Sequence, residues 1–164
     1  MKLRNIISSL LAGLGASTVH IALMAVKHRA GLLPGFEPYE DLQRLLSSMT
    51  ALSLESPYSW LLPYINGALI LGFVFGRLFT HLPGSTAIVK GGAFGFVAWL
   101  AMGLAILPLA GRGVFARELG LGVQPAALMF AMLMTYAIVM SLLYAWLTTP
   151  PHAKAVGDPG KKLL

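Results

Sequence analysis

The sequence predicts an all-α, polytopic integral membrane protein built as a four-transmembrane-helix bundle. Of its 164 residues, 57% are hydrophobic and only 11% are charged, whereas soluble domains carry about 25% charged residues. A helix needs about 20 apolar residues to cross a hydrocarbon core about 30 Å thick. Four stretches meet that requirement, at about residues 5–26, 61–80, 88–109 and 125–148.

The first stretch follows Lys2 and Arg4, as a signal peptide would. Its apolar run is too long for a signal-peptide core, and no small-residue cleavage site follows it, so we expect a membrane span. Residues 1–149 then form a single membrane domain. Residues 150–164, rich in Pro, Gly and Lys, are expected to form a flexible C-terminal tail.

The positive charges indicate the orientation of the bundle. With both termini in the cytoplasm, seven basic residues lie inside and five lie outside, which agrees with the positive-inside rule. The inner set is Lys2, Arg4, Arg77, Lys90, Lys154, Lys161 and Lys162. The outer set is Lys27, Arg29, Arg44, Arg112 and Arg117. The net charge of +6 forms no continuous basic face, so nucleic-acid binding is not expected.

The first outer loop is predicted to contain a short amphipathic helix at about residues 38–52. Apolar residues recur there at intervals of three and four, as at Leu42, Leu45 and Leu46. Pro38 suits the first turn of a helix, and acidic residues directly after it suit the positive end of the helix dipole. We expect this helix to lie on the membrane surface or over the mouth of the bundle.

Three acidic residues cluster at the start of this helix: Glu37, Glu40 and Asp41. Carboxylates four residues apart can share a helix face and bind a hard cation through oxygen. No histidine completes such a set, and Pro38 places Glu37 outside the first turn. The sequence therefore predicts a solvated acidic face, with no metal site and no catalytic residues.

The second outer loop supplies two arginines, Arg112 and Arg117, on the same side of the membrane. An ion pair from Arg112 to Glu37 or Asp41 would tie the two outer loops together. An exposed pair of that kind contributes only about 0–1 kcal/mol. The alternative role for the arginines is binding lipid phosphates or an acidic partner.

Small residues predict where the helices pack closely, because apolar burial does not drive association within lipid. The second span carries Gly67, Gly72 and Gly76, and the third carries Gly91 and Gly95. This pattern predicts that the second and third spans are central and tightly packed.

Few strongly polar side chains lie within the spans, so each is a candidate functional residue. His20 and Asn66 fall at nearly the same depth, with Ser17 one turn away from His20. A hydrogen-bonded intramembrane polar node of these three is one interpretation, and a proton relay or haem ligand at His20 is the sharper alternative. The plainer interpretation is a structural histidine satisfied by a neighbouring helix. Trp99 and Tyr136 are expected to pack together near mid-bilayer.

Four quoted segments resemble a family of small four-span bacterial membrane proteins of uncharacterised function. They are the first span running into "GLLPGFEPYEDLQRLL", then "GALILGFVFGRL", "KGGAFGFVAWLAMGLAILPLAGRGVF", and the aromatic-rich last span. The resemblance covers roughly residues 10–148 and implies a bacterial inner-membrane location without supplying an activity. Members often carry a histidine early in the second and fourth spans; "LLPYINGAL" and "LMFAMLMTYAIV" have none.

No enzymatic activity is expected, since the chain lacks a P-loop, a dinucleotide fingerprint, GxSxG, HExxH and CxxC. The best-supported function is an accessory or scaffold subunit that packs against membrane partners or further copies of itself, in contact with lipids and with no cofactor. One alternative is a small-solute transporter or channel-like oligomer. The other is a membrane protein that binds haem, a quinone or a pigment.

Overall fold

The computed structural model describes residues 3–50, 61 and 64–149, and every regular element in that part of the chain is helical. We number five helices, of which α3 and α4 each combine a π-helical and an α-helical stretch. They are α1 (Leu3–Arg29), α2 (Pro38–Thr50), α3 (Ile65–Leu78), α4 (Ala87–Leu109) and α5 (Gln124–Thr148). The predicted C-terminal tail and residues 51–60 lie outside the described residues.

Three of the helices, α1, α4 and α5, are long and apolar enough to cross a membrane. The fourth predicted span corresponds to α3, whose described length is eight π-helical and six α-helical residues. At about 1.5 Å per residue this covers roughly 20 Å of a core about 30 Å thick. The chain thus has the helices of an integral membrane protein, with three of full spanning length among the described residues.

The same capping motif ends α1 and α4. Gly31 and Gly111 both adopt positive φ, which glycine accepts without steric cost. Beyond each glycine, a backbone N–H bonds to a carbonyl five residues back, from Leu32 to Lys27 and from Arg112 to Leu107. This is the Schellman arrangement. Because both helices end in this way, the chain turns sharply and brings Lys27 and Arg112 to the region of α2.

The helices pack in an order that differs from the prediction. α1 packs against α5, α3 packs against α1, and α4 packs against α5. The expectation that the second and third spans form the tightly packed centre is wrong, since α1 and α5 occupy that place. In the described residues, α3 and α4 meet through side chains, with the Phe75 and Phe94 rings 5.1 Å apart.

The predicted glycines do lie at close helix contacts, but those of α3 meet α1 and those of α4 meet α5. A Cβ on Gly72 would lie 2.8 Å from the Ser9 carbonyl oxygen of α1. A Cβ on Gly91 would lie 2.8 Å from the Ala137 carbonyl oxygen of α5, and Gly95 faces α5 as well. Gly76 is buried on α3. Small residues let two backbones approach closely, but they do not specify which neighbour approaches.

Two apolar clusters fill the bundle. One is centred on aromatic and methionine side chains, namely Phe75, Phe94, Tyr136, Met140 and Tyr144. The other, below α2, contains Phe36, Leu107, Ala116 and Met129. Three of the four methionines of the last span (Met129, Met132 and Met140) are therefore buried within the chain.

Candidate functional site

A cavity of about 310 Å³ lies between α3 and α4. One end is covered by α2, which presents Pro38, Tyr39 and Leu42 to it; we call α2 the lid helix. Most of the wall is apolar. The lining residues are His20, Phe36, Pro38, Tyr39, Leu42, Asn66, Gly67, Ile70, Leu71, Ala98, Ala101, Met102, Ile106, Met129, Met132, Leu133 and Tyr136.

The cavity exists because α3 and α4 do not close on each other at this level. The α4 wall of the cavity includes two small residues, Ala98 and Ala101. Both π-helical stretches, Ile65–Gly72 and Met102–Ile106, also contribute to the wall. π-helical segments are rare and occur often at functional sites. The local backbone geometry therefore singles out the same place as the cavity does.

In α4 the π-helical stretch has a local cause. Pro108 lies two residues after it and has no backbone N–H with which to continue the α-helical ladder. A proline ring also clashes with the carbonyl four residues earlier, which a wider turn relieves. The sequence thus contains a signal for this irregularity, and it went unused in the sequence analysis.

His20 is the buried histidine at this site, with 7% of its surface exposed. Its ring contacts Tyr39 of the lid helix and Tyr136 of α5, both edge-on, with centroids 5.6 and 6.0 Å away. The backbone of Met132 also lies beside the ring. Its Nδ1 atom is buried and has no hydrogen-bond partner within the described part of the chain.

The predicted polar node is assembled differently. His20 and Asn66 both line the cavity, but no hydrogen bond from Asn66 reaches His20 Nδ1. Ser17 bonds instead to the hydroxyl of Tyr136, which donates to the Gly67 carbonyl oxygen at 2.6 Å. This role of Tyr136 was not predicted from the sequence. A hydroxyl on an aromatic residue deep in an apolar run was the available signal, because such a group needs a partner.

Trp99 does not pack against Tyr136 as expected. Its ring lies against Phe115 and Phe130, at centroid distances of 4.6 and 5.3 Å. The indole Nε1–H donates to the Ala126 carbonyl oxygen at 3.0 Å. Trp99 therefore joins α4 to the beginning of α5, leaving Tyr136 beside the cavity.

Two ionic contacts hold the lid helix in place. The first involves Lys27, which is buried at the end of α1. Its Nζ atom donates to the Phe36 carbonyl oxygen at 2.6 Å and to Glu37 Oε1 at 2.7 Å. Lys27 was expected to be a charge of the outer loop, and Glu37 or Asp41 to pair with Arg112; Lys27 and Glu37 instead pair with each other.

The second contact is made by Asp41 on the lid helix. Its carboxylate is only 2% exposed and forms ion pairs with Arg112 and with Arg44. The solvated acidic face expected here is wrong for Asp41, because the lid helix turns that side chain toward the loop after α4. The hydrogen bond with Asp41 raises the pKa of Arg112 above its ordinary value. Asp41 Oδ2 is buried without a partner in the described residues.

The remaining predicted outer-loop residue, Arg117, is exposed and is not brought to Glu37 or Asp41. Glu40 is also exposed. Within the described ranges, no group of three His, Cys, Asp or Glu residues is placed to hold a metal ion. Burial raises the pKa of the Tyr39 phenol above its ordinary value, so this side chain keeps its proton at neutral pH.

Comparison with known proteins gives a family without an assigned activity. The model of a family of unknown function, DUF6789, matches residues 3–155, which is nearly the whole chain. No curated protein and no solved structure matches the chain.

Proposed function

The chain belongs to DUF6789, a family of unknown function, and we propose that it is a membrane protein that binds a small, largely apolar molecule. The proposed role is non-enzymatic. The observation that carries it is the mostly apolar cavity of about 310 Å³ between α3 and α4, with His20, Asn66 and Tyr136 among its lining residues.

The size and chemistry of the cavity define its occupant. Ligand sites are typically concave and mostly apolar, with a few polar groups that fix orientation. An apolar cavity of about 150 Å³ stays dry and binds benzene. A cavity of about twice that volume suits a molecule of roughly a dozen non-hydrogen atoms, such as a two-ring compound. A haem has several times as many atoms, so the haem alternative is not favoured.

The other functions considered have less support. An accessory subunit would use small-residue faces to meet its partner, but Gly67, Gly72, Gly91 and Gly95 pack within the chain. The methionines Met129, Met132 and Met140 are likewise buried. A transporter for polar solutes would need a polar path, whereas the cavity wall is mostly apolar.

We also propose a bacterial inner-membrane location with four spans and both termini in the cytoplasm. The positive-inside bias supports this orientation. Two of the outer basic residues, Lys27 and Arg29, count against it. The ammonium group of Lys27 is buried and paired with Glu37, so Lys27 counts less as a loop charge.

Filling the cavity tests the proposed function. In Ala98→Phe the new ring would occupy space at the cavity wall, whereas Ala105→Phe adds the same ring at an exposed position of α4 outside the lining. Binding of naphthalene to the purified protein in mild detergent is measured by calorimetry. We expect binding to the wild type and to Ala105→Phe, and at least a tenfold loss in Ala98→Phe. Equal heats for the three proteins would mean partition into detergent and would refute the proposal.

A further inference from the structure

The cavity has one exposed side, which lies between α3 and α4. Two of its lining residues are exposed, Ile70 of α3, with 55% of its surface accessible, and Ala101 of α4. The lining residues on α1 and α5 are buried or half-buried, among them Met129 and Met132. Because α1 and α5 pack together and close the opposite side, the cavity opens sideways through the gap between α3 and α4.

The gap is closed at both ends. At one end, the buried rings of Phe75 on α3 and Phe94 on α4 meet at 5.1 Å. At the other end the lid helix presents Tyr39 and Leu42 to the cavity. The opening between these ends therefore faces the side of the bundle.

The surface around the opening is apolar. Leu69 on α3 and both Val97 and Leu104 on α4 are more than half exposed. Exposed apolar patches of this kind mark surfaces that contact a membrane or another protein. On helices that are apolar enough to cross a bilayer, the surroundings of such a patch are acyl chains. The cavity thus opens toward lipid, and a molecule dissolved in the bilayer can reach it without crossing water.

The wall offers no ionic partner to an occupant. Among the described residues that line the cavity there is no Lys, Arg, Asp or Glu. The acidic groups nearest to it on the lid helix and just before it, Asp41 and Glu37, are paired with Arg112 and Lys27. Burying a charged group without a partner is costly, so the occupant is expected to be uncharged.

We propose that the occupant is an uncharged single-chain lipid, such as a long-chain alcohol, that enters from the bilayer between α3 and α4. This inference rests on the proposed function and adds the class of the ligand and its route. The cavity holds a segment of roughly a dozen carbons, and the opening lets the rest of the chain lie among the lipids. The polar lining residues Tyr39, on the lid helix, and Asn66, the second residue of α3, suit a hydroxyl head at the lid end.

Photo-crosslinking in vesicles tests whether the chain enters. The protein is reconstituted in phosphatidylcholine vesicles that contain hexadecanol with a diazirine at mid-chain, and mass spectrometry locates the labelled residues. The lipid-facing Val97 and Leu104 should be labelled in every protein and provide the reference. Labelling of the buried Met129 and Met132 requires a chain inside the cavity. We expect it in the wild type and about tenfold less of it in Ala98→Phe, in which the cavity is filled.

Three tryptophan variants test the route. Ala101→Trp and Ile70→Trp each add a large ring at the opening, whereas Ala105→Trp adds it at an exposed position of α4 outside the lining. We expect either opening variant to lower the labelling of Met129 and Met132 about tenfold relative to Ala105→Trp. Naphthalene binding in detergent should be retained in these variants, because the cavity itself is unchanged.

A charged probe tests the head group. The phosphate ester of the same diazirine alcohol should label the two buried methionines about tenfold less than the alcohol does, because its charge would be buried without a partner. Equal labelling by the ester and the alcohol would overturn the uncharged head.

Each remaining failure points to a different step. If naphthalene binds but Met129 and Met132 are labelled equally in the wild type and Ala98→Phe, the lipid assignment is wrong and the cavity remains a binding site. Undiminished labelling in both Ala101→Trp and Ile70→Trp overturns the sideways route. Loss of naphthalene binding in both variants also overturns that route, since their rings would then lie inside the cavity. If naphthalene does not bind the wild type, the proposed function itself fails.

Discussion

Arg112 donates two hydrogen bonds to one oxygen of Asp41, from Nε at 2.9 Å and from a terminal nitrogen at 2.7 Å. The two residues are 71 positions apart in sequence. Their contact joins the lid helix to the loop that follows α4. The lid helix is therefore positioned by a long-range ion pair in addition to its apolar face.

The two arginines on Asp41 should differ in their contribution to stability. Arg112 is 24% exposed and Arg44 is 63% exposed, so water screens the Arg44 pair more strongly. We expect Arg112→Gln to lower the free energy of unfolding by about 2 kcal/mol, since it leaves a buried carboxylate poorly compensated. Arg44→Gln should cost less than about 1 kcal/mol.

Thermal unfolding in mild detergent measures these free-energy changes, and hydrogen exchange of the α2 amides reports on the lid helix. Faster exchange in Arg112→Gln than in Arg44→Gln is expected. Equal small losses in the two variants would show that both arginines act as screened surface partners.

Adjacent glycines on α4 provide a matched pair for helix packing. An added Cβ at Gly91 meets the Ala137 carbonyl oxygen at 2.8 Å, whereas at Gly92 nothing lies within 4 Å. Gly91→Ala should separate α4 from α5 and cost about 1–3 kcal/mol through overpacking. Gly92→Ala should be neutral, or stabilising by up to about 1 kcal/mol. Thermal midpoints in detergent check both, and similar midpoints for the two variants would contradict the observed packing.

Two neighbouring residues on α5 provide a test of the hydrogen bond that the buried Tyr136 hydroxyl makes to α3. Tyr136→Phe removes the donor to the Gly67 carbonyl oxygen and the partner of Ser17. We expect a loss of about 1 kcal/mol, the usual size for a hydrogen bond between membrane helices. Thr135→Val removes an exposed hydroxyl that bonds within its own helix, to Ala131, and should change stability by less than about 0.5 kcal/mol. Unfolding in graded denaturing detergent compares the two, and a Thr135→Val loss as large as that of Tyr136→Phe would argue against the interhelical bond.

The four-span topology predicts opposite exposure for two serines. Ser48 lies on the exposed side of the lid helix, and Ser85 lies in the exposed turn between α3 and α4. The chain has no cysteine, so single Ser48→Cys and Ser85→Cys variants can be labelled on a clean background. A membrane-impermeant maleimide should modify the first in intact cells and the second only after permeabilisation. Labelling of both from one side would mean that α3 does not cross the membrane.

Local sequence patterns were sufficient to predict some elements of the structure. The lid helix begins at Pro38, as its fixed φ and the acidic first turn predicted. The Ala-Gly pairs after α1 and α4 carried a cap signal that was not used, although they place Lys27 and Arg112. These features depend on residues within a few positions of one another, so the sequence displays them directly.

Pairings between distant residues could not be obtained in this way. Glycine at four-residue steps indicates a close helix neighbour, but Gly72 meets α1 whereas Gly91 meets α5. Equal depth suggested a bond between His20 and Asn66, yet both residues line the cavity and His20 Nδ1 has no hydrogen-bond partner in the described residues. Depth along a span follows from sequence position, whereas rotation about the helix axis follows from packing.

The sequence by itself therefore determined the all-helical, membrane-embedded character of this protein and the amphipathic helix of its first loop. These properties follow from composition and from local periodicity. Only the tertiary structure decided that Asp41 and Lys27 are buried, that Ser17 bonds to Tyr136, and that a cavity adjoins His20. The physical reason is that burial and partner choice depend on how whole helices pack, which residues close together in sequence do not specify.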